Sequence, residues 1–155
     1  MRQEYSGRYF DDLTVGETLT TPPRVVSKED VYAFAELTGD NNPLHVDEDF
    51  GRRTIFGKQI AHGMLTASIT TGLVTGLGIF HGTVIAFLEV HAKFLAPVFF
   101  GEALTAECCV EEKQEGAKPN RGNAIFFCKV VNQNNAIVAE TRWTLMLNRR
   151  PKSHV

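Results

Sequence analysis

The sequence predicts an α+β fold in which several antiparallel strands pack against one long apolar helix. Two observations support this class. Apolar residues surround most of the segment from 62 to 77, and the later segments alternate apolar and polar residues with the two-residue period of strands. A helix that is apolar on nearly all sides is a buried helix. The simplest packing therefore wraps a curved antiparallel sheet around a long central helix.

A shorter helix is predicted before this long one. Ser27 and Asp30 have the spacing of a capping box, and Gly39 suits the C-terminal end of a helix. Pro43 disfavours helical backbone at the residue before it, so the stretch from 40 to 43 is predicted to be a turn.

Four segments after residue 83 have the pattern of strands, and Gly and Asn residues mark the turns between them. They cover residues 89–94, 104–112, 124–131 and 136–147. The segment 124–131 is almost continuously apolar, as expected of a central strand covered on both faces. In the long helix, Gly72 and Gly76 predict that another backbone packs closely there.

Length and composition predict one domain over residues 1–155, with a core from about 9 to 147 and a basic C-terminal tail at 148–155. A net charge of -2 argues against a nucleic-acid partner. No apolar run is long enough to span a membrane, and the first residues lack the apolar region of a secretion signal. We therefore expect no membrane partner and a cytoplasmic location, where the three cysteines would be free thiols.

Asp40 and His45 are the candidate catalytic residues. A carboxylate and an imidazole can hold one water molecule between them and exchange protons with it. The Asn-Pro turn between them would fix their separation. The alternative interpretation is structural: Asp40 caps the turn through its side chain, and His45 is a partly buried polar residue.

A second candidate motif, "IAHGM", lies where the long helix begins. Gly63 falls in the first helical turn, where backbone N–H groups lack an intrahelical acceptor and the helix dipole is positive. Fixed donors at this position stabilise a carbonyl oxygen that gains negative charge during a reaction. The neighbouring His62 is interpreted as a structural hydrogen-bonding residue.

The stretch Gly39–Asp47 has the pattern G-D-x-N-P-L-H-x-D, which resembles the signature of MaoC-like hydratases, including the (R)-specific enoyl-CoA hydratases. The resemblance continues through "AHGMLTAS" and "FLAPVFFGEALTAE" and covers the chain from about Tyr9 to about Leu147.

This resemblance implies a hotdog fold, a homodimer and the reversible hydration of trans-2-enoyl-CoA to (R)-3-hydroxyacyl-CoA. Carried over by position, Asp40 and His45 activate the water, and the N–H of Gly63 receives the thioester oxygen. Thr71 falls where the family has a hydroxyl that supports the catalytic pair, and Asn42 braces the turn. Asp40 is the natural base and His45 the natural acid, although one water can supply both the hydroxyl and the proton. The reaction needs no metal and no cofactor besides the coenzyme A of its substrate.

Two other functions fit an acyl-thioester site. Hotdog thioesterases usually place a carboxylate on the buried helix, and the segment from Met64 to Leu77 contains none. A non-catalytic acyl-thioester-binding subunit is expected to have lost Asp40 or His45, and both are present. The acyl chain length, the choice between coenzyme A and acyl carrier protein, and the pathway stay open at the level of sequence.

Overall fold

The computed structural model describes residues 5–152. In this range a 3-10 turn at Phe10–Asp12 precedes six strands and four α-helices. The helices are α1 (Lys28–Thr38), α2 (Pro43–Val46), α3 (Glu48–Arg52) and α4 (Gly63–Gly76). The strands are β1 (Thr18–Thr20), β2 (Arg24–Val25), β3 (Val84–Phe94), β4 (Ala103–Glu115), β5 (Arg121–Val131) and β6 (Ile137–Asn148). None of the helices in residues 5–152 is long and apolar enough to cross a membrane.

The six strands form an antiparallel sheet in the order β1-β4-β5-β6-β3, and β2 pairs with the other end of β4. The segment before α1 therefore supplies two short strands, β1 and β2, on the edge of β4 that is not paired with β5. At the opposite end of the order, β3 has β6 as its one neighbour in the described part of the chain. The long strands β3 to β6 carry most of the sheet.

Helix α4 packs against the sheet through two clusters of buried side chains. Near its C-terminus, Val74 joins Phe126 and Trp143 in one cluster. Near its N-terminus, Leu65 and Ile69 join a second cluster together with residues of α1, β4 and β5. The predicted α+β class and the packing of the long helix on an antiparallel sheet are confirmed.

The face of α4 that does not pack on the sheet is more exposed to solvent than the sequence indicated. Met64 is 57% exposed, and Ser68 and Gly72 are also exposed. A Cβ added at Gly72 or Gly76 would meet no atom of residues 5–152 within 4 Å. The expectation that this helix is buried because it is apolar on nearly all sides, with another backbone close to its glycines, is therefore wrong for a single chain. The exposed positions are mostly small or weakly polar residues, which a count of apolar residues does not separate from core residues.

The turn predicted at 40–43 continues into a short helix. Asn42 has extended backbone (φ -58°, ψ 131°) and is the N-cap of α2, which begins at Pro43. Proline is well suited to the first helical position because its fixed φ is helical and its missing N–H would have no partner there. His45 therefore lies on a single helical turn instead of on an extended segment. Elements this short, like α3, β1 and β2, have no periodicity that a sequence can show.

The cysteines differ from the expected free thiols. Cys108 of β4 and Cys128 of β5 form a disulfide, and Cys109 is free. The two bridged residues lie directly opposite each other in the antiparallel register, so their side chains share one face of the sheet. This register follows from strand pairing, which cysteine spacing alone does not show.

The beginning of the basic tail is held against the body of the protein. Arg149 forms ion pairs with Asp11 and Glu115, and Arg150 with Asp12. The remaining tail residues 153–155 lie outside the described residues.

Candidate active site

The end of α1 places Asp40 at the surface. Gly39 is the C-cap and has a left-handed backbone (φ 79°), and its N–H donates to the carbonyl of Ala35. A left-handed residue turns the chain away from the helix axis, and glycine adopts this conformation without steric cost. The side chain of Asp40 is therefore exposed in the single chain.

Helix α2 then returns the chain so that His45 approaches Asp40. The side-chain oxygen of Asn42 accepts a hydrogen bond from the backbone N–H of Leu44 at 3.0 Å. This contact is an N-cap bond and orders the single turn that carries His45. The bracing role expected for Asn42 stays a prediction, and this bond is the contact that would serve it.

The imidazole of His45 has a defined tautomer. Its Nδ1 lies 2.7 Å from the carbonyl oxygen of Ile60. A carbonyl oxygen can only accept a hydrogen bond, so Nδ1 carries the proton and neutral His45 has a free lone pair on Nε2. Burial of this half-buried ring lowers the pKa of His45 below its ordinary value of about 6.5. The Ile60 bond and Asp40 act in the opposite direction, and nearby His62 lowers this pKa further.

His62 is the third polar residue of the site. It is 2% exposed, and its Nε2 lies 2.9 Å from the backbone carbonyl oxygen of Asp40. Its ring stacks on that of His45, with centroids 3.8 Å apart and ring planes 29° apart. A structural hydrogen bond of His62 was expected and is present, but its contact with His45 was missed. The only signal was its position beside Gly63, because stacking across 17 residues leaves no spacing pattern.

The carboxylate of Asp40 and the rings of His45 and His62 bring three potential metal-ligand atoms within 4.8 Å of one another. An imidazole binds a metal ion in the plane of its ring, along the nitrogen lone pair. The two stacked rings have centroids 3.8 Å apart and planes 29° apart, so their lone pairs lie in two separate and nearly parallel planes. The two imidazoles, arranged in this way, do not converge on one shared ion.

Gly63 is the first residue of α4 and follows His62, the N-cap. The His62 side chain makes no capping hydrogen bond, so it leaves the first-turn N–H groups free of a side-chain acceptor. A Cβ on Gly63 would lie 2.9 Å from carbons of the Phe94 ring. Gly63 and Phe94 line a cavity of about 290 Å³, together with Phe56, Ile60, Ala61, Thr66, Leu95, Ala96, Pro97, Val98 and Val138. The first turn of α4 therefore borders an apolar cavity large enough for part of an acyl thioester.

Thr71 lies apart from these residues in the single chain. Its hydroxyl donates to the carbonyl of Ser68 at 2.7 Å. It is eight positions beyond Gly63, or about 12 Å along the helix axis. Thr71 lines a separate cavity of about 390 Å³, whose walls include Phe80, Phe87 and Trp143.

Comparison with known proteins identifies the family. The model of the MaoC like domain matches residues 12–126, which include Asp40, His45 and Gly63. The chain belongs to the MaoC-like dehydratase family. An (R)-specific enoyl-CoA hydratase of Rhodospirillum rubrum is 39% identical over 145 residues, which cover 92% of this chain and 93% of the relative.

Solved structures agree with the fold. A protein of Archaeoglobus, described as a monoamine oxidase regulatory protein, is 36% identical and has a TM-score of 0.88. The alignment covers 94% of this chain and 97% of that protein. A Mycobacterium tuberculosis protein with a double hotdog fold matches with a TM-score of 0.83 at 22% identity, covering 96% of this chain and 46% of its own. The predicted hotdog fold is confirmed.

The lowered pKa of His45 can be measured by NMR titration of its ring protons. We expect a midpoint below about 6.5, because burial disfavours the charged ring. In Asp40→Asn the midpoint should fall further, because the carboxylate that favours the charged ring is lost. His45→Gln serves to assign the signal. A wild-type midpoint at or above 6.5 would contradict this account of the site.

Proposed function

We propose that this protein catalyses the reversible hydration of trans-2-enoyl-CoA to (R)-3-hydroxyacyl-CoA. The observation that carries the proposal is the juxtaposition of Asp40 and His45 beside the first turn of α4, with a carboxylate oxygen and a ring nitrogen no more than 4.8 Å apart. Two hydrogen bonds of about 2.8 Å at a near-tetrahedral angle span roughly 4.6 Å. The gap therefore suits one water molecule bonded to both side chains.

The proton on Nδ1 of His45 favours a base role for this residue, in place of the acid role that the sequence suggested. Neutral His45 has its free lone pair on Nε2, and the lowered pKa keeps the ring neutral near pH 7. Nε2 accepts one proton of the water as the hydroxyl oxygen bonds to C3 of the enoyl group. The protonated ring then returns this proton to C2, and the sum of the two steps is the addition of one water molecule. Asp40 accepts a hydrogen bond from the same water and orients it.

Addition at C3 makes the thioester resemble an enolate, with negative charge on its oxygen. We place this oxygen at the N–H of Gly63, at the positive end of the 14-residue helix α4. The absence of a Cβ at Gly63 leaves room between the backbone and Phe94. In this scheme the side chains and one backbone N–H supply all proton transfer and charge stabilisation, so no metal or redox cofactor takes part.

A homodimer is part of the proposal. The apolar strand β5 has no free edge for it, because β5 pairs with β4 on one side and β6 on the other within residues 5–152. Strand β3 instead offers a long edge on which Ile85, Leu88 and Val90 are each more than 40% exposed. Unpaired apolar edges of this kind favour pairing with another strand. We therefore propose that two copies pair through β3.

Pairing around a two-fold axis also gives Thr71 a place in the reaction. Two β3 strands related in this way are antiparallel, so the Val84 end of one lies beside the Phe94 end of the other. Val84 lines the cavity of Thr71, whereas Phe94 lines the cavity of Gly63. Thr71 of the partner subunit would thus approach the catalytic pair of the first subunit and support it.

The cytoplasm remains the proposed location on the sequence grounds given above. Disulfides are rare in that compartment, so the Cys108–Cys128 bridge is the observation that argues against it. In a reducing environment the two residues would be adjacent thiols in the core.

His45→Gln should lower kcat for hydration of crotonyl-CoA by about 10²- to 10⁴-fold, because the base is lost. Asp40→Asn should lower it by about 10²-fold or more, because the negative charge that orients the water and favours protonated His45 is lost. Loss of absorbance of the conjugated enoyl thioester measures the rate, and assay of free thiol detects a thioesterase. Asp49→Asn, an exposed carboxylate on α3, is the matched control with wild-type activity. Thiol release by the wild-type protein, or near-normal turnover in Asp40→Asn or His45→Gln, would refute the mechanism.

Gly63→Ala should lower kcat/KM for the same reaction by about 10- to 10³-fold. The new methyl group collides with the Phe94 ring and displaces the N–H that receives the thioester oxygen. Gly72→Ala is the matched control on the same helix, since its methyl group meets no atom within 4 Å. Equal activities of the two variants would remove Gly63 from the site.

The wild-type protein should sediment as a dimer with twice the mass of the chain. Leu88→Lys combined with Val90→Lys should shift it toward the monomer, because pairing of two β3 strands would bring the added charges together. The matched control is Val15→Lys, an exposed apolar residue just before β1, at the opposite end of the sheet order from β3, and this variant should stay dimeric. A monomeric wild-type protein in analytical ultracentrifugation would disprove this assembly.

A further inference from the structure

His62 contacts both members of the catalytic pair through different parts of its ring. The Nε2 edge faces the backbone carbonyl of Asp40 at 2.9 Å, and the ring face lies on the imidazole of His45. Because a carbonyl oxygen only accepts, Nε2 carries the proton in this contact. The other nitrogen, Nδ1, is buried and has no hydrogen-bond partner among residues 5–152.

A buried polar atom without a partner destabilises a protein, by about 1–3 kcal/mol in typical cases. At this position a phenylalanine would fill similar space without that cost, and a ring of that kind would still stack on His45. The side chain present is nevertheless histidine, and the one polar contact it makes is with Asp40. This contact is therefore what distinguishes histidine from an apolar ring at position 62.

The two contacts restrict motions that the other bonds of the pair leave open. The bond from Nδ1 to Ile60 fixes one edge of the His45 ring, but a single bond allows the ring to tilt. Stacking against a buried ring removes this tilt. Asp40 follows the left-handed end of α1, where its own N–H makes only a 3.3 Å contact with the hydroxyl of Thr38. The His62 bond holds the other side of the Asp40 backbone.

His62 also has a rigid position relative to Gly63. The N–H proposed to receive the thioester oxygen belongs to the peptide group that joins His62 to Gly63. On its other side, the His62 ring contacts Phe34 of α1, with centroids 5.0 Å apart. One buried side chain thus connects the end of α1, the turn of α2 and the beginning of α4.

We propose that His62 is a positioning residue, which holds Asp40 and His45 at a fixed distance from each other and from the Gly63 N–H. This inference rests on the proposed hydration activity. His62 does not touch the substrate. It acts by its hydrogen bond to the Asp40 backbone and by its stacking on His45.

Two variants separate these contacts. His62→Phe keeps a flat ring against His45 and loses the donor to Asp40, whereas His62→Gln keeps an amide donor and loses the ring. We expect each to lower kcat for crotonyl-CoA hydration by about 10- to 100-fold, as small misplacements of catalytic groups do, while KM changes by less than about threefold. A kcat within threefold of wild type in either variant would overturn the proposal.

The ring-current shift of the His45 ring protons provides a readout that is independent of activity. In wild type and His62→Phe the stacked neighbour should shift these protons upfield, and in His62→Gln this shift should disappear. His62 lowers the pKa of His45, and Asp40 is the other charged group that faces the His45 ring. Without His62 this pKa should rise, so the acidic limb of the kcat/KM profile should move to higher pH in both variants. Unshifted His45 protons in the wild-type protein would overturn the stacking contact.

The outcome also distinguishes this inference from the proposed function. A wild-type protein that does not hydrate enoyl-CoA but retains the upfield shift would refute the activity and leave the contacts of His62 in place. If the wild-type protein hydrates enoyl-CoA and both His62→Phe and His62→Gln keep a kcat within threefold of wild type, the positioning role alone is refuted. Circular dichroism melts of each variant confirm that the compared samples are folded.

Discussion

The packing of α4 on the sheet is the constraint on which the candidate site depends. Leu65 and Ile69 fix the first half of the helix in one cluster, and Val74 fixes the second half in another. Close-packed side chains leave little freedom for a helix to slide or rotate. The first turn of α4 is consequently a fixed reference, to which His62 and Gly63 belong and against which Asp40 and His45 are held.

The site combines an exposed carboxylate with a half-buried imidazole. Asp40 stays in contact with solvent, whereas the burial of His45 lowers its pKa and keeps its ring neutral at neutral pH. Two groups in different environments are suited to different tasks on one water molecule. Backbone carbonyls, those of Ile60 and Asp40, set the tautomers of both histidines. The chemistry therefore depends on main-chain geometry as much as on the identity of the side chains.

Much of this arrangement was visible in the sequence because it follows local rules. The capping box at Ser27 and the glycine at position 39 marked both ends of α1. Alternation located the long strands to within a few residues, and the motif around Asp40 and His45 pointed to the site. What the sequence did not show depends on contacts between distant segments: the disulfide, the stacking of His62 on His45, and the identity of the edge strand.

Thr71 is a further residue whose contacts could not be predicted from the sequence of one chain. Its hydroxyl was assigned to the catalytic pair by resemblance, but within one chain it bonds to Ser68 and lines a different cavity. A single chain contains every predicted site residue, but in the single chain Thr71 lies apart from Asp40 and His45. The open face of α4 and the unpaired edge of β3 are both consistent with a surface that a second copy completes.

Phe94 occupies the last position of β3, and its ring lies against Gly63. The Phe94 ring therefore connects β3, the outermost strand of the sheet, to the first turn of α4, which would receive the thioester oxygen. Any event that shifts this strand, such as separation of two copies on dilution, would be transmitted to the turn through one aromatic side chain. If two copies pair through β3 as proposed, the specific activity would therefore depend on enzyme concentration.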